Sequence, residues 1–278
     1  MCYWCHKLGY NRKAINHKSV DCYDPRNSYS KNYKKFSQKW FIIFAKENKY
    51  LVNKLKLRAG KNSFVTYQKI NYPKLYFTDI FVSKCDTINA MLKYGGNCIG
   101  LNFANEHHVG GGYLNGAFAQ EEDLCRRCPE LYMALDNAKK VNNFYPLKPG
   151  KVIVTRDVGI LRNDDYSIIN GPKILHFMTA AMPNLNNIKF KSMNDYIKYI
   201  SIIIQSVLHA AAINNFRYLV LGAFGCGAFK NNPKIIASLF KNIIESDFPN
   251  IFEKIEFAIL CPKSSDNNNF LQFKNIFK

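Results

Sequence analysis

Residues 98–128 read CIGLNFANEHHVGGGYLNGAFAQEEDLCRRC. The stretch opens on CIGLNF (98–103), an apolar run of strand length. Three consecutive glycines follow a short polar segment, and a helix-forming stretch begins at Gln120. Strand, glycine loop and helix in that order form one unit of an α/β fold. Working outward, KVIVTRD (151–157), KILHFMTA (173–180), RYLVLGAF (217–224) and KIEFAIL (254–260) are further apolar runs of strand length. Helical patterns cover 120–139, 191–214 and 233–246. Near-continuous apolar strands alternating with helices predict a sheet covered on both faces. Ligands of such sheets bind in loops beyond the strand ends.

Two glycine-rich loops stand in that position. GGGYLNGAFAQEE follows the 98–103 strand, and GAFGCGAFKNNP (222–233) follows the 217–224 run. Glycines there permit positive φ and let backbone N–H groups approach an anion without a side chain between. A phosphate or diphosphate is the natural guest of the second loop, which leads into a helix starting at Pro233; a plain tight turn is the competing reading. Gln120, Glu121 and Glu122 carry more information. One carboxylate in a first helical turn is favoured by the macrodipole, but two neighbours repel. Adjacent helical residues point about 100° apart, so the two cannot face each other across a scissile bond as a glycosidase pair does. One Glu is expected to transfer a proton and its neighbour to position substrate. A like charge and burial both raise a carboxyl pKa, which suits a general acid.

NFANEHHVGGGYLNGAFAQEEDLC together with VLGAFGCGAFKNNP resembles the catalytic domain of microbial-type poly(ADP-ribose) glycohydrolases, macrodomain-fold enzymes that hydrolyse the ribose–ribose bond of poly(ADP-ribose). Their signature is GGG, six to eight residues, then QEE; here seven residues separate Gly112 from Gln120. The resemblance runs from about residue 71 to 261. It implies that Glu122 is general acid and then base, and that Glu121 bonds ribose hydroxyls. Asn105 would hold the distal ribose, and Phe229 would pack beside it. Gly110, Gly111, Gly112 and Gln120 would line the substrate site. Gly225, Cys226, Gly227 and Ala228 would form the diphosphate loop, and Asp79 would approach the adenine. The expected architecture is a three-layer α/β/α macrodomain with a mixed central sheet over 71–278. Poly(ADP-ribose) or ADP-ribosylated proteins are the expected partners, with no cofactor for catalysis. A macrodomain that binds ADP-ribose without cleaving it is one alternative, which the intact QEE disfavours; a zinc-knuckle nucleic-acid-binding protein with the macrodomain as a tether is the other.

The chain's 278 residues carry a net charge of +19. Residues 1–75 hold 17 Lys/Arg against 3 Asp/Glu, so most of the excess is N-terminal. A concentrated cationic segment fits a polyanionic partner. Within it Cys2, Cys5, His17 and Cys22 resemble a CCHC zinc knuckle, with His6 as a competing ligand and a spacer of 11 residues between the halves. A segment too short for its own core needs something to order it, and zinc supplies that. Tyr3, Trp4 and the basic run then form a candidate platform for nucleic acid or poly(ADP-ribose). The expected division is a zinc-knuckle-like module at 1–30, a basic linker or helical extension at 31–70, and the catalytic domain at 71–278. Removing 1–70 is expected to leave activity on free polymer. No signal peptide or stretch approaching membrane-span length is apparent, and nine scattered cysteines fit a reducing intracellular compartment. Cys125 and Cys128 read as small buried residues rather than a metal or redox pair. His107 and His108 read as loop surface and His176 as a core histidine.

Overall fold

The computed structural model describes residues 33–169, 171, 173–261 and 267–278. Seven strands form one sheet: β1 (Lys61–Thr66), β2 (Asp79–Ser83), β3 (Cys98–Phe103), β4 (Lys151–Gly159), β5 (Ile174–Ala180), β6 (Tyr218–Leu221) and β7 (Lys254–Ala258). Their order across the sheet is β1-β4-β5-β3-β6-β7-β2. From β5 to β2 all neighbours are parallel, whereas β4 is antiparallel to both β5 and β1. The helices are α1 (Tyr33–Lys54), α2 (Thr87–Met91), α3 (Gln120–Arg127), α4 (Pro129–Lys140), α5 (Met193–Ile213), α6 (Pro233–Asp247) and α7 (Asn267–Ile276).

The period-2 alternation of each strand divides the core into two layers. Ile99 and Leu101 of β3 join a cluster with Ile204 and Val207 of α5, Phe240 of α6 and Phe273 of α7. Cys98, one step out of phase, joins Met91 of α2, Leu124 of α3 and Leu131 of α4 on the other face. Gly100 lets α2 settle on the sheet: a Cβ there would lie 2.3 Å from the Met91 sulfur. Capping fixes where the long helices start. Ser192 accepts from the Asp195 N–H ahead of α5, and Asn232 accepts from the Lys234 N–H ahead of α6, where Pro233 opens the first turn. Helix α5 is long and apolar enough to span a membrane by length and composition, contrary to the sequence reading. Its apolar residues Ile200, Ile203, Ile204 and Val207 are buried against the sheet, which accounts for the composition.

Two expectations change. The helix expected over 120–139 is two helices, because Pro129 supplies no N–H for the ladder and Cys128 leaves helical geometry at ψ 74°. The boundary expected at 71 also moves. Strand β1 pairs with β4 along its whole length, so it is an edge strand of the seven-stranded sheet rather than linker. Helix α1 is likewise part of the domain. Its buried residues Trp40, Phe41, Phe44, Ala45 and Asn48 follow one helical stripe. The Asn48 amide donates to the carbonyl of Arg126 at 2.8 Å and to the Tyr113 hydroxyl at 3.1 Å, and accepts from Arg162 Nε at 2.8 Å. Glu47 pairs with the buried Arg162 at 2.8 Å. Residues Cys2, Cys5, His17 and Cys22 of the zinc reading lie outside the described residues.

Removing residues 1–70 therefore takes away a strand and unpairs the buried Arg162, a loss in the class of about 3–5 kcal/mol. A variant lacking residues 1–32 is expected to melt cooperatively like the full chain. One lacking 1–70 is expected to be unfolded or to melt far lower, as calorimetry would show.

Candidate active site

The parallel strands β3, β6, β7 and β2 all end at one rim of the sheet, and the loops leaving them enclose a cleft of about 730 Å³. Residues from each exit line it: Asn105 after β3, Gly227 after β6, Leu260 after β7 and Asp86 after β2. Helix α3 presents its first turn, Glu121, Glu122 and Asp123, to the same space.

Gln120 holds that turn in place. Its Oε1 accepts from the Phe103 N–H at 2.8 Å, and its Nε2 donates to the Leu101 carbonyl at 2.6 Å and to Thr87 Oγ1 at 3.0 Å. Both ends of the amide are engaged by protein, so Gln120 is a strut between β3, α2 and α3, and it also lines the cleft as expected from sequence.

Glu121 is 3% exposed. Its Oε2 accepts from the Asn105 N–H at 2.8 Å and its Oε1 from the Gly110 N–H at 3.2 Å. Burial pushes its carboxyl up to about 8; the Asn105 amide pulls back and the neighbouring Glu122 pushes up again. Glu122, 8% exposed, accepts from the Gly112 N–H through Oε1 at 2.8 Å. Its Oε2 bonds no group among the described residues and belongs to the cleft wall. The pair thus has unlike surroundings: one carboxyl is tied to backbone on both sides, while the other keeps one oxygen for the cleft.

The glycines of 110–112 serve the carboxylates. Gly110 and Gly112 donate to Glu121 and Glu122, and the Gly111 N–H closes onto the His108 carbonyl at 3.0 Å. None of the three amides is left for an anion, and Gly111 and Gly112 line the cleft. Gly111 is required for space as well: at φ +54 its Cβ would lie 2.5 Å from Glu122 Oε1 and 3.1 Å from Glu121 Oε2.

The second loop is different. The N–H groups of Gly225, Gly227, Ala228 and Phe229 make no hydrogen bond among the described residues, while the Asn231 side chain ties the loop from beneath through the carbonyls of Pro183 and Gly225, at 3.0 Å each. Gly225 sits at φ +74 against Met182 and Asn231. A Cβ on Gly227 would meet nothing within 4 Å, so packing does not demand glycine there. An open turn of unpartnered amides is an anion cradle. Cys226 is buried in it, its thiol raised to about 12 by burial, and it bonds the Phe224 carbonyl at 3.5 Å; it is not a nucleophile.

Asn105 also folds the first loop. Its Oδ1 accepts from the His107 and His108 amides at 2.9 Å each, leaving its Nδ2 for a ligand. Both histidines are exposed. Asp79 does not reach the cleft. It starts β2, at the opposite end from the rim, and faces Lys254 at 3.6 Å. Asp86, past the end of β2, is the acid that lines the cleft, where it caps α2 and pairs with Arg127 at 2.9 Å. His176 accepts from the Asp157 N–H at 3.1 Å, and burial lowers its pKa. Cys125 and Cys128 are buried and their thiols raised. Among the described residues no group of three or more His, Cys, Asp or Glu is placed to hold a metal ion. Sequence reasoning missed Asp86, Arg127, Phe41, Phe118 and Tyr166 of the wall; of these, Phe118 and Arg127 lie inside the 98–128 stretch already singled out.

Against known proteins, the family model described as microbial-type PARG, catalytic domain, matches residues 30–174. Among solved structures, poly(ADP-ribose) glycohydrolase (PARG) from Thermomonospora curvata superposes with a TM-score of 0.76 at 23% identity, covering 86% of this chain and 99% of that one. PARG from Deinococcus radiodurans in complex with ADP-ribose superposes with a TM-score of 0.65 at 26% identity, covering 84% of this chain and 92% of that one. The first likeness is one of fold. No curated protein sequence matches the chain.

The two glycines make opposite predictions for stability. Gly111→Ala forces a strained φ and a clash with two carboxylates, a loss of about 1–3 kcal/mol. Gly227→Ala enters open space and is expected to change stability by no more than about 0.5 kcal/mol. Urea denaturation of both variants checks the contrast.

Proposed function

The chain belongs to the microbial-type PARG catalytic-domain family and is a poly(ADP-ribose) glycohydrolase, a hydrolase of ribose–ribose bonds; we propose that Glu122 is its general acid and that the strand order lays out its substrate. The observation carrying this reading is the unlike pair, in which Glu121 is bound by backbone on both oxygens and Glu122 keeps Oε2 for the cleft.

Strand order supplies the layout. The acid stands at the exit of β3, the amide cradle at the exit of β6, and an apolar wall at the exits of β7 and β2. Three strand steps separate β3 from β2, about 14–15 Å at the usual spacing. That distance suits an extended ADP-ribose, with ribose at Glu122, diphosphate on Gly225–Phe229, and adenine between Asp86 and Leu260. Asn105 Nδ2 would meet the distal ribose and Phe229 would flank it. The diphosphate, held close, would offset the positive charge that develops on the ribose ring as the bond breaks.

In the reaction, Glu122 Oε2 gives a proton to the 2′-oxygen of the leaving unit as the bond to C1″ breaks. The resulting carboxylate then takes a proton from the water that adds to C1″. Glu121 keeps the Asn105–Gly110 loop in register with the pair. With its own carboxyl raised to about 8 by burial, Glu121 loses its proton as pH rises through that value. A raised carboxyl in the folded state also means that the folded protein holds a proton that the unfolded chain has released, between pH 4.5 and about 8. Its contribution to stability therefore declines as pH rises across that window.

Glu122→Gln keeps the Gly112 hydrogen bond and removes the acid. On labelled poly(ADP-ribose), kcat is expected to fall about 10²–10⁴-fold, with ADP-ribose affinity retained by calorimetry. Wild-type protein that binds ADP-ribose but releases none would replace this reading with a non-catalytic binder. For the wild type, urea denaturation is expected to show stability declining as pH rises from about 5 to 8; a flat stability profile across that window would count against the raised Glu121 carboxyl.

A further inference from the structure

Phe118 is 55% exposed, although it lies four residues before the general acid and lines the cleft. Its inner face is stacked on Phe41 of α1, with ring centroids 5.3 Å apart and planes 3° from parallel. Phe41 is buried, and beyond it the Arg126 guanidinium lies 4.1 Å from its centroid. Arg126 is fully buried; its Nη1 donates to the Ala117 carbonyl at 2.8 Å, which fixes the residue next to Phe118. The order is therefore guanidinium, ring, ring, and then an open face. The loop that carries Phe118 is tight: the Gly112 carbonyl accepts from the Asn115 and Ala117 amides at 3.0 and 3.1 Å. Gly116 lies so close to α1 that a Cβ would come within 2.3 Å of the Gln38 carbonyl. Phe118 is thus held rigidly, and a large apolar ring is left facing the cleft.

We propose that the outer face of Phe118 is a platform for the adenine of the leaving unit, the part of the polymer on the far side of the bond that Glu122 protonates. This rests on the glycohydrolase reading. In the polymer the leaving oxygen is O2′ of an adenosine, and its base is attached at the neighbouring carbon, C1′. A purine therefore stands within one ribose of the acid on the leaving side. The adenine of the unit being released lies three strand steps away, at the β7–β2 end, and does not compete for Phe118. A flat π-system continues a stack ordered this way, and base–aromatic stacking tolerates the modest freedom of a polymer end. The platform makes Phe118 a specificity residue that favours bonds to adenosine over ADP-ribose linked to a group without a base.

Two synthetic substrates with the same leaving oxygen test this: ADP-ribose linked 1″→2′ to adenosine, and linked 1″→2′ to methyl riboside. Wild-type protein is expected to cleave the first with kcat/KM about tenfold above the second. In Phe118→Ala that ratio is expected to fall to about one, and in Phe118→Trp to be kept. A ratio reports on the base alone, so a general loss of activity or folded protein does not move it. A ratio near one in the wild type, or an unchanged ratio in Phe118→Ala, overturns the platform while leaving the glycohydrolase reading intact. Weakened binding of free ADP-ribose by Phe118→Ala also overturns it, because the ring would then serve the other adenine. Failure of the wild type to cleave either substrate overturns the glycohydrolase reading itself, and the platform with it.

Discussion

A carboxylate buried at the second residue of a helix must find donors, and Glu121 finds them in the loop that leads to the helix. The Asn105 and Gly110 amides close on its two oxygens. Each of these hydrogen bonds contributes about 0.5–1.5 kcal/mol, and together they define a loop that contains three glycines and would otherwise be loose. Gly112 does the same for Glu122. Gln120, one residue earlier, ties the helix start to the last residues of β3. The three residues of the QEE motif thus have three tasks. One fixes the helix to the sheet, one fixes the loop to the helix, and one remains partly free for the cleft.

The same site depends on α1, which lies outside the strand–helix alternation that defines the fold. The helix does not sit on the sheet. It packs on α3 and the turn after the glycines through Asn48 and the close approach at Gly116, while Glu47 pairs with Arg162 beyond β4. Arg162 is buried among Glu47, Asn48, the Tyr166 carbonyl and the Phe44 ring. A buried guanidinium is tolerated only when its donors are met, so these contacts make α1 a structural part of the active site.

The sequence was most legible where burial forces periodicity. Strands β3 to β7 and helices α5 and α6 were expected within a few residues, because their apolar patterns are dictated by a core on two sides. Strand β1 was missed for the opposite reason: it is an edge strand, largely exposed, with Lys61, Asn62 and Ser63 in a KNSFVT run that no pattern distinguishes from a loop. Helix α1 was only half seen, since its stripe packs against loops rather than the sheet. In the site, residue types and order named the loops and the Glu pair, but not who bonds whom. Gly110–Gly112 and Gly225–Ala228 look alike as glycine-rich strings. Only the donor inventory separates a loop whose amides are taken by carboxylates from one whose amides are open. Asp79 illustrates a different limit, since a position early in the domain does not say at which end of the sheet the residue or the cleft lies.

The two walls that flank the acid differ in kind, and the difference follows from their attachments. The 222–229 loop is held by the side chains of Asn231 and Asn186 and presents backbone N–H groups. The 112–119 loop is held by a helix and presents rings. Backbone amides cannot tell one anion-bearing sugar from another, because every nucleoside diphosphate offers the same oxygens. A rigid ring discriminates by what can lie flat on it. Discrimination between leaving groups therefore has to come from the aromatic wall, and the residues that build it, Phe41 and Phe118, come from a helix and a loop that meet only because Gly116 leaves room for the Gln38 carbonyl.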